Sequence, residues 1–167
     1  DNWVIKPHYD AGTDFHEGKA AIALGKYWGF IDEHNNMVVF PKYDMAYYYQ
    51  EGMAYVKLGK KISFINPEGK AVFTVDYDTV DLLLQDGMIS FKQNGKMGFL
   101  NKKGKVAIKP QFTGNYLTRF KDGLAPVMGI NGKYGYIDKS GKFVIEPQFE
   151  KADLFYNNLA LVKSNGK

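Results

Sequence analysis

"KYGYIDKSGKFVIEPQF" (Lys133–Phe149) gathers two tyrosines around a glycine, an aspartate, three lysines and a Glu-Pro pair, and so has the look of a site. Near-copies elsewhere argue against that reading. YWGFID (Tyr27–Asp32), KISFIN (Lys61–Asn66), KMGFLN (Lys96–Asn101) and KYGYID (Lys133–Asp138) align on Gly29, Ser63, Gly98 and Gly135, which are 34, 35 and 37 residues apart. Each copy continues through a turn into MVVFPKY, AVFTVDY, VAIKPQF or FVIEPQF, and WVIKPHY (Trp3–Tyr9) supplies a fifth copy of this second element. A third element follows each: GKAAIAL, GMAYVKL, GMISFKQ, GLAPVMG and NLALVKS. A fixed period of about 35 residues marks a repeat architecture, in which one supersecondary unit stacks on the next.

The unit reads as three short strands. Aromatics make up 16% of the chain and 18 glycines interrupt its apolar runs, a composition that favours strands and tight turns over helices. Between first and second strands, DEHNN, NPEGK, NKKGK and DKSGK place Asp or Asn where its side chain bonds the backbone two residues on, and most place Gly where φ must be positive. Asn94-Gly95, Asn131-Gly132 and Asn165-Gly166 predict two-residue hairpins into the next unit, and Gly25-Lys26 and Gly59-Lys60 predict the mirror-type turn with Gly first. The fold class is therefore all-β: a tandem array of about four and a half three-stranded meanders. The units are approximately 1–25 (partial), 26–59, 60–95, 96–132 and 133–167. An open, curved or coiled array is favoured over a closed propeller-like ring, because no special capping sequence stands at the ends.

Period-two alternation selects the core. Ala20, Ala54, Ile89, Ala125 and Ala160 share a face with Ile22, Val56, Phe91, Val127 and Val162. Phe15, Tyr49, Leu84, Phe120 and Phe155, each three residues before the Gly or Asn that opens the third element, form a column expected to pin the connecting loop to the core. Pro7, Pro41, Pro110 and Pro147 fall late in second strands, where a missing ladder donor implies an edge, a bulge or the end of pairing. The copy with Ser63 for glycine and Val75 for proline is the most degenerate. Trp28, Met97 and Tyr134 stand beside the column glycine, and a large ring covering its bare backbone is the expected reason for it.

An aromatic followed by Gly, aromatic, Ile and Asp, a turn ending in Gly-Lys, Val-Ile-x-Pro-x-Phe, an anchor aromatic and Asp/Glu-Gly-Leu/Met-Ala-x-Val resembles the bacterial WG-repeat family. WGFIDEHNNMVVFPKYD (Trp28–Asp44) and YGYIDKSGKFVIEPQF (Tyr134–Phe149) carry the resemblance best. It implies a non-enzymatic array, exported or attached to the envelope, and brings no catalytic motif.

The chemistry of the residues agrees. Asp32, Asn66, Asn101 and Asp138 share one repeat position, but two of the four are amides, so turn chemistry explains the row better than acid–base catalysis. DYDTVD (Asp76–Asp81) lacks the glycine and distal glutamate of a loop calcium site, and His8, His16 and His34 lie at unlike repeat positions. No catalytic residue, cofactor or metal site is expected, and with no cysteine there is neither a disulfide nor a thiolate site. Of 22 basic residues only Arg119 is an arginine, and the lysines appear scattered among 18 acids, which speaks against nucleic acid. No apolar run is long enough to span a bilayer as a helix. Tyr47, Tyr48, Tyr116 and Tyr156, in the variable loops between second and third strands, are the candidate contact residues. They suit a protein partner first, and a polysaccharide or cell-wall glycan as the alternative.

Overall fold

The computed structural model describes residues 8–114 and 116–166. The N-terminal copy of the second strand, Trp3–Tyr9 with Pro7, lies for the most part outside the described residues. The chain is all-β and divides into two compact lobes, one ending at Asp76 and the other beginning at Tyr77.

The first lobe holds two sheets. One contains β1 (Ala11–Gly12), β2 (Lys19–Leu24), β3 (Tyr27–Asp32) and β4 (Met37–Tyr43); the next contains β5 (Met45–Ala46), β6 (Ala54–Leu58), β7 (Lys61–Ile65) and β8 (Ala71–Val75). In the second lobe β9 (Thr79–Val80), β10 (Met88–Gln93), β11 (Lys96–Asn101) and β12 (Val106–Phe112) form the third sheet. The fourth contains β13 (Ala125–Met128), β14 (Tyr134–Ile137) and β15 (Phe143–Phe149), and the fifth β16 (Lys151–Ala152) and β17 (Val162–Lys163). Every pairing is antiparallel between neighbours in sequence, and none of these sheets closes into a barrel.

Two features of the unit differ from the three-strand expectation. A fourth strand of only two residues, as in β1, β5, β9 and β16, precedes each third strand and pairs with it, except in the fourth sheet. Two residues are too few for alternation to register. Each of the first three sheets begins with that short strand and the third strand of one copy and ends with the first and second strands of the next, so the sheets are offset from the sequence units.

The alternating columns do line the core: Ala20, Ile22, Ala54, Val56, Ile89, Phe91, Ala125 and Val127 are buried, while Ala160 and Val162 are half-buried. The opposite face of the third strands is buried as well, through Ala21, Ala23, Tyr55 and Ser90; in the first lobe Ala21 lies against the second sheet. In the first lobe Ala21, Phe30 and Val39 of the first sheet pack against Ala54, Val56 and Ile65 of the second. The loop anchors Tyr49, Leu84 and Phe120 are buried as expected, Phe155 is half-buried and Phe15 is exposed. The anchors repeat one geometry: Tyr49 meets Phe30 edge-on at 4.9 Å, Phe120 meets Phe99 at 4.8 Å and Phe155 meets Tyr136 at 4.9 Å.

The column glycine is explained by backbone. Trp28 pairs with Tyr43 but Phe30 pairs with Val39, so β4 carries two extra residues opposite Gly29, and the same shift occurs opposite Gly98 and Gly135. These bulges contain Pro41, Pro110 and Pro147, consistent with proline's missing donor. A Cβ at Gly29 would lie 2.3 Å from the Val39 carbonyl oxygen and 2.7 Å from the Pro41 nitrogen. The room left by the glycine is thus taken by the bulged strand, rather than by a ring. In the second sheet Ser63 and Val75 stand in place of both residues, and the pairing is regular from Ile62 to Phe64: Ile62 faces Val75, Ser63 faces Thr74, and the two hydroxyls lie 2.9 Å apart, with a register shift only beyond Phe64. The degenerate copy has lost glycine, proline and bulge together.

The turns follow their residues with one correction. Asn94-Gly95 has positive φ at both positions, 52° and 74°, and Asn165-Gly166 has 50° and 76°, as a two-residue type I′ hairpin requires. Asn131-Gly132 does not: only Gly132 has positive φ, Gly129 N–H bonds the Lys133 carbonyl, and the loop holds three residues. The extra residue contributes to the longer third spacing, 37 residues from Gly98 to Gly135.

Candidate binding surface

The acids of the sequence serve the scaffold. Asp32 Oδ1 accepts from the amides of His34 and Asn36, and Asp138 Oδ1 from those of Ser140 and Lys142 and from the Ser140 hydroxyl. The Asn36 side chain chiefly holds the Asp32 carboxyl below its usual range, and the Ser140 hydroxyl does so for Asp138. Asp10, Asp44 and Asp78 cap the hairpins into the next copy by accepting from the amides of Gly25, Gly59 and Asn94 at 2.6–2.7 Å. Asp81, buried, takes both ends of the Arg119 guanidinium at 2.9 and 2.8 Å and accepts from the Leu83 amide. Asp76–Asp81 is therefore divided among structural tasks, and among the described residues no group of three or more His, Asp or Glu is placed to hold a metal ion.

A further row of carboxylates joins successive loops. Glu17, Glu51, Asp86 and Asp122 have φ of 51–53° and precede glycines of positive φ, so Glu/Asp-Gly is itself a type I′ turn closing a small hairpin before each third strand. Glu17 accepts from the Gly52 amide at 2.9 Å, Asp86 from Gly123 at 2.8 Å, and Asp122 from Asn158 at 3.5 Å. The acid before the glycine was visible in the repeat pattern, but its acceptor role across about one period was not.

The copies disagree most between β12 and β13. Where the others have Asp10, Asp44, Asp78 or Glu150, this one has Thr113; the carbonyl of the next residue, Gly114, accepts from Lys92 Nζ at 2.8 Å, and the short strand is reduced to one bridge, Thr113 to Met128. A cleft of about 340 Å³ opens there, lined by Tyr116, Leu117, Pro126 and Tyr134 with the exposed Lys151 and Asp153. A second cleft of about 390 Å³ shares Thr113 and Met128 and reaches Ile130, Phe143 and Pro147.

Of the four tyrosines singled out from the sequence, Tyr116 is 83% exposed and lines the first cleft. Tyr156 is 71% exposed, beside β17 and not among the cleft residues. In the first lobe Tyr47 and Tyr48 are half-buried: Tyr48 stacks on His16 at 4.0 Å and Tyr47 leans on it at 4.4 Å. The fully exposed Ile130 went unnoticed; the one-residue insertion that carries it was the available signal.

In the solved structures the fold has counterparts at low identity. Hsv2 of Kluyvelomyces marxianus is 12% identical over 77% of this chain and 51% of its own, with a TM-score of 0.51. BamB of Moraxella catarrhalis is 11% identical over 81% of this chain and 48% of its own, with a TM-score of 0.51. The computationally designed Ika4 protein is 10% identical over 80% of this chain and 94% of its own, with a TM-score of 0.52. The chain spans about half the length of Hsv2 and BamB, and these likenesses concern the fold. No curated protein matches it in sequence. The WG containing repeat pattern matches five times in tandem, at residues 1–28, 28–61, 62–96, 97–134 and 134–167, with the Gly-Pro bulge and the Asp/Glu-Gly turn recurring at its period; the chain belongs to the WG containing repeat family.

Proposed function

We propose that this protein is a non-enzymatic scaffold that binds a protein partner through the cleft beside β13, with Tyr116 as the main contact. The observation that carries this is local. In the one sheet that lacks the short strand, an apolar cleft is exposed with a tyrosine across it, and tyrosine in a water-excluding pocket is the residue type that dominates interface energetics. An apolar lining with Pro126 and Leu117, edged by Lys151 and Asp153, suits a peptide segment better than a sugar. The resemblance of the repeats to bacterial WG-repeat arrays favours a setting in or near the cell envelope.

Affinity capture from an envelope extract tests the reading. Wild type should retain a stoichiometric protein that Tyr116→Ala loses by about tenfold or more, at unchanged thermal stability. Retention on cell-wall glycan that depends on Tyr47 and Tyr48 would favour the stacked Tyr47, Tyr48 and His16 group and the glycan alternative instead. A hydrolytic activity abolished by Asp138→Asn would overturn both.

A further inference from the structure

The charge is unequally divided. The second lobe contains 14 basic and 8 acidic residues, a balance of +6, whereas the first contains 8 and 10, a balance of −2. Five of the thirteen lysines of the second lobe lie in two turns between first and second strands. The turn after β11 has Lys102, Lys103 and Lys105, with Lys109 further along β12, and the turn after β14 has Lys139 and Lys142. All six are exposed.

Packing brings the two turns to one place. A Cβ at Gly141 would lie 3.0 Å from Ile108 Cγ2, so turn 138–142 packs on the Ile108 side chain of β12, the strand that the turn with Lys102, Lys103 and Lys105 leads into. The aliphatic stem of Lys102 runs beside Gly87. The one acid in these turns, Asp138, is committed to the amides of Ser140 and Lys142; further along β15 the exposed Glu146 holds the repeat position that Lys109 holds on β12. Exposed apolar side chains follow these turns along the chain, Val106 at 46% directly after Lys105 and Val144 at 58% two residues after Lys142. The first lobe has the same strand and turn arrangement, with exposed Phe40 and Val72, yet its turns carry Asp32, Glu33 and Glu68. The position is thus built alike in both lobes and differs in charge.

We propose that the lysine-rich turns of the second lobe, with Val106 and Val144, dock the protein on an anionic lipid surface. Lysine acts as a mobile point charge that needs no fixed acceptor geometry, which suits the diffuse negative potential of a bilayer. The valines separate this occupant from the alternatives. A fully hydrated polyanion offers them nothing, whereas the boundary between headgroups and acyl chains accepts small apolar groups. The turns contain no arginine and no exposed aromatic, so they lack the groups that stack on bases.

Flotation with vesicles of phosphatidylcholine, with and without phosphatidylserine, tests this on the whole chain. Binding to the anionic vesicles should exceed binding to neutral ones by about tenfold or more and fall with added salt. The pair Lys103→Glu and Lys139→Glu should abolish the difference, Lys103→Arg with Lys139→Arg should retain it, and Val144→Ser should weaken it severalfold. Circular dichroism melts of these surface variants should match wild type. Equal binding to both vesicle types, no binding, or full binding by the charge-reversed pair would overturn the proposal. So would inorganic polyphosphate or polyglutamate bound as tightly as vesicles and insensitive to Val144→Ser, an outcome that would assign the surface to a soluble polyanion or an acidic protein.

Discussion

Substituting Gly29 by serine should destabilise the protein by about 3 kcal/mol, and adding Pro41→Val should give part of that back. The first figure comes from geometry. A Cβ at Gly29 would sit 2.3 Å from the Val39 oxygen, 2.7 Å from the Pro41 nitrogen and 3.0 Å from the Phe40 carbonyl carbon, all backbone atoms. Carbon–oxygen contacts normally stop near 3.3 Å, so the intrusion is about 1 Å and no rotamer relieves it. The bulge must open, at a cost in the upper part of the overpacking range of about 1–3 kcal/mol. Pro41→Val alone should cost about 1 kcal/mol or less, by loosening a bulge that still fits. Together the two changes recreate the side chains of the second sheet, where Ser63 and Val75 stand in regularly paired stretches. The double variant should therefore be more stable than the sum of the singles by at least about 1 kcal/mol. Urea denaturation of all four proteins, followed by the fluorescence of the neighbouring Trp28, measures the cycle. Strict additivity, or a Gly29→Ser penalty under about 0.5 kcal/mol, would refute the claim that glycine and bulge are one device.

Tyr49 is buried, and burial, with a smaller contribution from Tyr43 and Glu68, pushes its phenol well above the ordinary 10.0. A raised folded value favours the neutral ring, so its contribution is complete below the unfolded pKa and is lost as the pH rises through the folded one. Tyr49→Phe, which keeps the ring and drops only the bond to the Asn66 carbonyl, should cost about 1 kcal/mol at neutral pH and shallow the alkaline loss of stability, as urea midpoints across that range would show. Asp81→Ala removes both hydrogen bonds to the partly exposed Arg119 guanidinium and should lower stability by about 1–2 kcal/mol by chemical denaturation. Asp86→Ala removes the acceptor for the Gly123 amide and should cost about 1 kcal/mol, with faster hydrogen exchange at Gly123.

Much of the fold was readable because the unit is copied. Alternation identified Ala54 with Val56 and Ala125 with Val127 as core, spacing identified Tyr49 and Phe120 as anchors, and Asn94-Gly95 announced its hairpin. What escaped depends on relations across strands. Gly29 and Pro41 were each noticed, but pairing registers are not written in one strand, so the bulge that joins them was invisible. Asp81 and Arg119 are separated by 38 residues and share no repeat position. The binding surface was half legible: tyrosines in variable loops drew attention, and Tyr116 lines a cleft, but nothing local showed that Tyr48 would instead lie against His16. The burial of both faces of the third strands likewise follows from the stacking of whole sheets, which alternation within a strand does not report.

The carboxylates of Glu17, Asp86 and Asp122 hold the amides of Gly52, Gly123 and Asn158 in the loops that follow them. In these three joints the donor and the acceptor come from the same kind of turn, one loop supplying the carboxylate and the next the backbone amide. Such a joint is indifferent to which copy sits on either side of it. An added or removed unit would meet a fitting neighbour without any compensating change, so gene duplication could alter the length of such an array one unit at a time while leaving each joint chemically intact.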